Sequence, residues 1–287
     1  MFADLHLHTS ASDGTLTPKE LVSYAKEKNI SIVAITDHDT VDGFEEARRS
    51  IPDGVELISG VEFSCIYDGG EPFLLHILGY GIDTDSDGIK KAVKIGRDMR
   101  RGKHSARLEY LSRVFGIKFT EAERFRLERQ PSVGKLHIAA ILIERGYATG
   151  IGEAVAKFMS SPDFPDGRIS YKTAISGIIE AGGIPVYAHP LGGEGEEHLS
   201  ISEVAHRVRI MRSAGVMGLE CYYSRYTDKE IEMLLSLAED MGMYVSGGSD
   251  FHGENKTVPI GCLSADGTSI FPKRLSMLTK LSVKKKL

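Results

Sequence analysis

Asp4-Leu5-His6-Leu7-His8-Thr9 follows an apolar start, Met1-Phe2-Ala3, at the front of the chain. Side chains along an extended strand alternate sides with a period of two, so His6 and His8 point the same way. A strand that begins apolar and ends in two same-side imidazoles reads as buried in a sheet, with its last residues delivered to a polar site. Two neutral imidazoles so placed call for a divalent ion.

The same design recurs outward from that stretch. Residues 31–36 form a short, continuously apolar run (Ile32-Val33-Ala34-Ile35) of the kind found in parallel sheets covered on both faces, and it ends in Asp37-His38-Asp39. Residues 55–65 predict a third strand, interrupted at Gly60 and carrying Glu62 in its second half. A fourth, 73–80, carries His76. Further on, 184–188 ends in His189-Pro190, 216–222 forms another strand, and 244–247 runs into Gly248-Ser249-Asp250-Phe251-His252.

Helices separate most of these runs. One starts with Thr17 as N-cap, Pro18 in the first turn and Glu20 completing a capping box, and Asn29 is its stop. A short helix carries Val41, Phe44 and Ala47, and another spans 173–181 before Gly182-Gly183. Ser200 with Glu203 and Thr227 with Glu230 cap two more. Seven strands mostly followed by helices predict an α/β chain folded as a parallel barrel or a close variant.

The alternation pauses in the middle. A long charged helix over 87–115 carries Arg97, Arg100, Arg101, Lys103 and Arg107. Helices over 136–145 and 152–158 follow, then a loop, Pro162-Asp163-Phe164-Pro165-Asp166-Gly167. We read residues 1–98 as the first part of the barrel, 99–167 as a helical insertion capping the substrate, and 168–287 as the second part.

Composition narrows the function classes. The 287 residues are 41% hydrophobic and 26% charged, enough for a sizeable core. A net charge of −5 argues against a broad basic surface for duplex DNA, yet leaves room for a local basic pocket. Cys65, Cys221 and Cys262 form no CxxC pair, so neither a disulfide framework nor a thiolate zinc site is expected. With no secretory leader and no apolar run long enough for a bilayer, the expected compartment is the cytoplasm, with no membrane and no obligate protein partner. The end, Lys284-Lys285-Lys286, reads as a solvated tail.

The chemistry lies in where the polar residues fall. His6, His8, Asp37, His38, Glu62, His76, His189, Asp250 and His252 all stand at or near strand ends, and Asp13 lies in the loop after the first strand. In a β/α barrel such ends converge on one face. A lone histidine there is more often a satisfied structural residue. Six of the chain's ten histidines are not. One divalent ion takes roughly four to six ligands, so this set suffices for two or three, with Glu62 able to bridge a pair. Imidazole and carboxylate without thiolate suit manganese, iron or zinc. Paired ions clamp an in-line displacement, which favours phosphate ester hydrolysis, though amide hydrolysis uses similar sites.

These residues resemble the ordered motifs of the polymerase-and-histidinol-phosphatase (PHP) family. The motifs are Asp4-Leu5-His6-Leu7-His8-Thr9, Thr36-Asp37-His38-Asp39, Gly60-Val61-Glu62-Phe63-Ser64, Ala188-His189-Pro190 and Gly248-Ser249-Asp250-Phe251-His252. The resemblance implies a distorted (β/α)7 barrel with two or three divalent ions that cleaves phosphate esters. It places His6, His8, Glu62 and Asp250 on a first metal, Glu62, His76 and His189 on a second, and Asp13, His38 and His252 on a third. Asp37 would orient a histidine from behind. A hydroxide bridging the first two metals would attack phosphorus, with Asp13, His38, Glu62 and His252 as the catalytic ligands.

Within the family, Gly134-Lys135-Leu136-His137-Ile138-Ala139 resembles the insertion motif of a subgroup. That subgroup removes the 3′-phosphate from nucleoside 3′,5′-bisphosphates, and related members trim short RNA from its 5′ end. Here Lys135 and Ala140 stand where arginines are commoner, and lysine keeps the charge but loses the bidentate fork. The resemblance implies substrate contacts from Arg100, Arg101, Lys135 and His137, and Tyr222, Tyr223 and Arg225 could flank the ligand. Two rival readings are a histidinol-phosphate phosphatase and a metal-binding PHP module without catalysis. Metal-assisted amide hydrolysis lacks the lysine that barrel amidohydrolases often carry at a strand end.

Overall fold

A computed structural model describes residues 2–130, 132–159, 167–194 and 196–284. The proline-rich loop, apart from Gly167, and the tail beyond residue 284 lie outside them. Strands β1 (Phe2–Leu7), β2 (Ile30–Ile35), β3 (Glu56–Tyr67), β4 (Phe73–Tyr80), β5 (Ile169–Ser170), β6 (Ile184–Tyr187), β7 (Gly218–Tyr223) and β8 (Tyr244–Gly248) form one sheet. Its order is β1-β2-β3-β4-β6-β7-β8, with the two-residue β5 added to β3.

The pairing is parallel except at β4, which runs antiparallel to both β3 and β6. This departs from an all-parallel barrel, and the connection explains it. Only residues 68–72 join β3 to β4, and a parallel crossover needs a dozen or more. Gly60 is not a break in β3 but the point where β3 changes partner. Residues 56–59 pair with β2 and 60–67 with β4. A Cβ at Gly60 would come within 2.8 Å of the Ile35 carbonyl oxygen, so only glycine allows the strands to cross so closely.

Helices α1 (Pro18–Glu27), α2 (Gly43–Ser50), α7 (Tyr171–Glu180), α8 (Ile201–Ser213) and α9 (Asp228–Asp240) follow the expected connections. The capping boxes at Thr17 and Thr227 both form. At Ser200 the hydroxyl caps Glu203 N–H, while the Glu203 carboxylate turns to Arg207 instead. Helix α3 (Asp87–Phe115) is continuous over 29 residues, about 43 Å. Its first half buries Ile89, Ala92 and Val93 against the barrel. Its second half buries Leu108 and Leu111 in a separate apolar cluster with Ile138, Leu142 and Phe158. That cluster gathers α4 (Glu121–Glu128), α5 (Lys135–Glu144) and α6 (Ile151–Phe158). Helices α4 and α10 (Ser276–Lys284) have no counterpart in the sequence reading. The Thr120…Glu123 capping box announces α4, but its short run of apolar residues shows little periodicity.

The barrel closes where its two ends meet. His8 N–H donates to the Phe251 carbonyl (3.0 Å), and Asp250 N–H donates to the His6 carbonyl (2.9 Å). Closure puts the two halves of the chain's histidine motifs side by side.

Candidate metal centre

Most candidate ligands are placed by a strand end or the loop just beyond it; Glu62 and His76, expected there too, instead stand inside β3 and β4, where those two strands pair. β1 delivers His6 and His8, the turn after it Asp13, the end of β2 His38, β3 Glu62 and β4 His76. The ends of β6 and β8 deliver His189, then Asp250 and His252. Three of the residues in this region, Asp39 (φ 51°), His189 (φ 25°) and Asp250 (φ 59°), hold left-handed backbone. Non-glycine residues adopt that at a cost, most often where a functional side chain must be aimed.

Glu62 is the hub. Its Oε1 lies 2.8 Å from His76 Nδ1 and 3.2 Å from His189 Nε2. Its Oε2 lies 3.0 Å from His38 Nδ1, 3.1 Å from His8 Nε2 and 3.2 Å from His6 Nε2. Asp250 Oδ1 sits 3.3 Å from His8 Nε2, and His252 Nε2 sits 3.2 Å from Asp13 Oδ1. Among the described residues, four groupings of donor atoms are compact enough for an ion: His6–His8–Glu62–Asp250, His8–Asp13–His38–His252, His38–Glu62–His76 and His76–His189–Glu196.

Hydrogen bonding tests whether a metal fits. Buried atoms His6 Nε2, His8 Nδ1 and Nε2, Asp13 Oδ1, His38 Nδ1 and Glu62 Oε2 have no hydrogen-bond partner. Unpartnered buried polar atoms are rare and costly, and these six converge on one place. Cations coordinated by these lone pairs satisfy them together. The donor set fits divalent metal.

Outer partners fix the imidazoles. His6 Nδ1 faces Glu220 Oε1 at 3.0 Å, which leaves Nε2 for the centre, while Glu220 Oε2 accepts the His189 backbone N–H (2.7 Å). His252 Nδ1 bonds the Asp250 carbonyl at 2.8 Å, freeing Nε2, and His189 Nδ1 lies 3.4 Å from Glu196 Oε2. Glu220 and Glu196 were missed in the sequence, although a glutamate inside the apolar run 216–222 was a visible signal. Replacing Glu220 by Gln is expected to weaken metal affinity about 10–100-fold with the fold intact. Titration of Mn²⁺ into the apoprotein checks this, and unchanged affinity contradicts it.

Charge in the centre is set by its own members. Burial works to raise the Glu62 carboxyl, but His38, His6 and His76 outweigh it and hold it well below the usual range. Asp13 is likewise held low, by His38 and His252 against burial. Burial opposes a charged His8, yet Asp250 and Glu62 push its imidazole up to about 9. His38 and His252 are pushed down by burial. A metal using His8 must therefore displace a proton at neutral pH. Apparent affinity should rise between pH 6 and pH 8, about tenfold per unit for each proton displaced. A chelator-competition titration that is flat over this range would contradict it.

The other expected residues divide. Asp37 accepts from Thr9 N–H (2.7 Å), Thr9 Oγ1 (2.7 Å) and Ser12 Oγ (2.5 Å), so it holds the 9–12 turn and not a histidine. Arg100 enters the region, paired with Asp39 and donating to Ser64 Oγ (2.6 Å). Arg101, on the next face of α3, does not. It is exposed, 3.9 Å from Asp98, and lines a cavity of about 830 Å³ between α3 and α4. His137 Nδ1 accepts Gly134 N–H (2.9 Å) as a helix cap, and the ring also bonds the Ser12 backbone. Lys135 heads α5 within electrostatic reach of Asp13, Lys256 and Glu196. Tyr223 donates to Asp250 Oδ2 (2.8 Å), Tyr222 is buried in the core, and Arg225 is an exposed partner of Glu194. Cys65 and Cys221 are buried free thiols, as their apolar surroundings imply.

Comparison with known proteins agrees with this site. The PHP domain family matches residues 4–130. The 5′-3′ exoribonuclease Rnm of Escherichia coli is 30% identical over 264 residues, spanning 90% of this chain and 87% of its own. The 3′,5′-nucleoside bisphosphate phosphatase of Chromobacterium violaceum is 29% identical over 262 residues, spanning 87% and 86%. A solved structure from Bifidobacterium adolescentis, described as a metal-dependent phosphoesterase, superposes with a TM-score of 0.78 at 29% identity, covering 92% of this chain and 93% of that one. No helix among the described residues is long and apolar enough to cross a membrane. Carrying the motifs, the closed barrel and the converged donor set together, the chain belongs to the PHP family and is a metal-dependent phosphoesterase.

Proposed function

We propose that the chain hydrolyses a phosphate monoester of a small phosphorylated substrate, a nucleoside 3′,5′-bisphosphate or the 5′ end of a short RNA. The observation that carries this is the basic rim beside the donor set. Arg100, Lys135 and Lys256 all stand within electrostatic reach of Asp13. A substrate with a second phosphate gains from such a rim, whereas histidinol phosphate would bring its own cationic amine against it. The names of the relatives point the same way.

In this reading His6, His8, Glu62 and Asp250 hold a first ion, Glu62, His76 and His189 a second, and Asp13, His38 and His252 a third. The ions are manganese, iron or zinc, two or three in number. Bound there, they supply Lewis-acid charge to the phosphoryl oxygens and a water of lowered pKa. The protein's own residues do the rest. Glu220 and Glu196 orient His6 and His189, and Asp37 keeps the 9–12 turn against the centre. Lys135 and Arg100 bind the non-scissile phosphate. The helices of 99–167 act as a cap between barrel parts 1–98 and 168–287, with His137 fastening α5 to the 9–13 turn.

The test is a panel of phosphorylated metabolites with Mn²⁺ present, including nucleoside 3′,5′-bisphosphates, 5′-phosphorylated short RNA and histidinol phosphate. The highest kcat/KM is expected on a bisphosphate or RNA, and Lys135→Ala should raise that KM about tenfold. Preference for histidinol phosphate, or full metal binding without turnover on any phosphate, overturns the reading.

A further inference from the structure

We infer that Lys256 is a catalytic residue that binds the scissile phosphoryl group directly, as the protein's own cation beside the metal ions. The inference rests on the phosphoesterase reading of the centre and adds a residue outside the motifs.

The position of Lys256 is built. Directly after His252 the chain makes a tight turn, Gly253–Asn255. Gly253 has φ +66°, and a Cβ there would fall 1.9 Å from Thr15 Oγ1, so only glycine lets the turn lie so close. The Glu254 N–H donates to Thr15 Oγ1 (3.1 Å), and Asn255 Nδ2 donates to the Asp13 carbonyl (2.7 Å). These bonds tie the turn to the loop that carries Asp13. Lys256 comes next, and its ammonium lies 2.5 Å from Asp250 Oδ2.

That contact divides the Asp250 carboxylate. Oδ1 faces the centre, 3.3 Å from His8 Nε2 and 3.5 Å from His252 Nδ1. Oδ2 is taken by Tyr223 Oη and Lys256 Nζ. The carboxylate therefore has one oxygen for a metal and spends the other on holding a cation in place. A lysine used only to steady Asp250 would be redundant, because Tyr223 already does so without adding charge. Placing an ammonium among metal-binding groups weakens their hold on cations, a cost with no structural return. It returns something when an anion enters.

An ammonium has three N–H donors, and Asp250 uses one. The Lys256 side chain keeps 18% of its surface open, against 1% for Glu62, so it stands on the open side of the centre. It is within electrostatic reach of Asp13 and Glu62 as well as Asp250, which spans the separate donor groupings. Lys135 reaches the same region from the insertion. A phosphoryl group held over these groupings meets Lys256 from the barrel side, while Lys135 on the cap side stays with the second phosphate. A fixed donor aimed at phosphoryl oxygens, where negative charge concentrates as the bond to the leaving group lengthens, favours the transition state. Because the phosphoryl group is common to every substrate, Lys256 acts on all of them alike.

Lys256→Met, which keeps length and removes charge, gives a result that a supporting role would not. Titrated with Mn²⁺ alone, the apo variant should bind the metal several-fold to about tenfold more tightly than wild type, since a competing cation is gone. Loaded with Mn²⁺, it should bind inorganic phosphate about tenfold more weakly, and kcat should fall about 100-fold on nucleoside bisphosphate and generic aryl phosphate equally. Lys256→Arg should keep wild-type Mn²⁺ affinity and recover part of kcat. Weaker Mn²⁺ binding in Lys256→Met makes the residue a prop for Asp250, and unchanged phosphate affinity removes the contact; either overturns the inference. If Lys256→Met does not fold, Lys256→Arg decides, and loss of metal there is equally fatal. Turnover of aryl phosphate without turnover of bisphosphate or RNA would sink the proposed substrate and leave Lys256 standing.

Discussion

Glu62→Gln is expected to lower kcat/KM by at least about 10³-fold and to remove one or more bound ions while leaving the barrel folded. The reason is geometric. One buried carboxylate is approached by five imidazoles, His76 and His189 on Oε1 and His6, His8 and His38 on Oε2. Glutamine keeps the volume, so packing in β3 is preserved. It replaces an acceptor of two or more cations by an amide whose NH₂ end points donors at ring nitrogens needed for metal. The other ligands cannot move in to compensate, because His6, His189 and His252 are each held from behind. Metal content by elemental analysis, circular dichroism and turnover on the best phosphate should be read together. Wild-type metal content with wild-type turnover in the variant would end the bridging role assigned to Glu62.

The strand-end ligands were legible in the sequence because two constraints coincide there. A buried strand must be apolar, so imidazoles and carboxylates at its end stand out against Ile32-Val33-Ala34-Ile35 or Ile184–Tyr187. Glu220 was harder to see because it sits inside a strand, with Leu219 and Cys221 on either side. Its role depends on β7 lying beside β6 and on the barrel bringing His6 across, 214 residues away in sequence. Lys256 was silent for the same reason. Nothing local distinguishes it from a surface lysine until the turn at Gly253 folds it back onto Asp250. The reversed direction of β4 could have been read from the five residues of 68–72, which are too few for a crossover. The opposite case is Arg101, which a run of arginines made look like a ligand contact. Helical periodicity places neighbouring residues about 100° apart, so Arg100 and Arg101 cannot serve the same site.

Asp4→Ala should destabilise the protein by about 3–5 kcal/mol and weaken metal binding at a centre to which Asp4 gives no ligand, only an acceptor for the His6 backbone N–H (3.3 Å). Asp4 is fully buried in β1, two residues before His6. Its carboxylate accepts from Ser249 N–H (2.9 Å), Ser249 Oγ (2.6 Å) and Gly261 N–H (2.7 Å). These bonds join the first strand to the chain beyond the last strand, across 245 residues or more, at the seam where the barrel closes. Burial raises the carboxyl against those bonds, which lower it, so the group is held at a solvation cost that only the full set of donors offsets. Alanine removes the acceptor of three backbone N–H groups (His6, Ser249 and Gly261) and the Ser249 hydroxyl, and each donor left buried without a partner costs roughly 1–3 kcal/mol. The seam then loosens beside Asp250 N–H and the His6 carbonyl, whose 2.9 Å bond sets the two metal-binding motifs in register. Metal ligands from opposite ends of the chain need that register, so affinity for the ion shared by His6, His8 and Asp250 should fall with stability. Urea unfolding with and without Mn²⁺ measures both effects. The gap between the two midpoints should shrink in the variant, because metal stabilises only a chain that can close around it. A variant with the wild-type midpoint and the wild-type gap would show that the seam closes without Asp4.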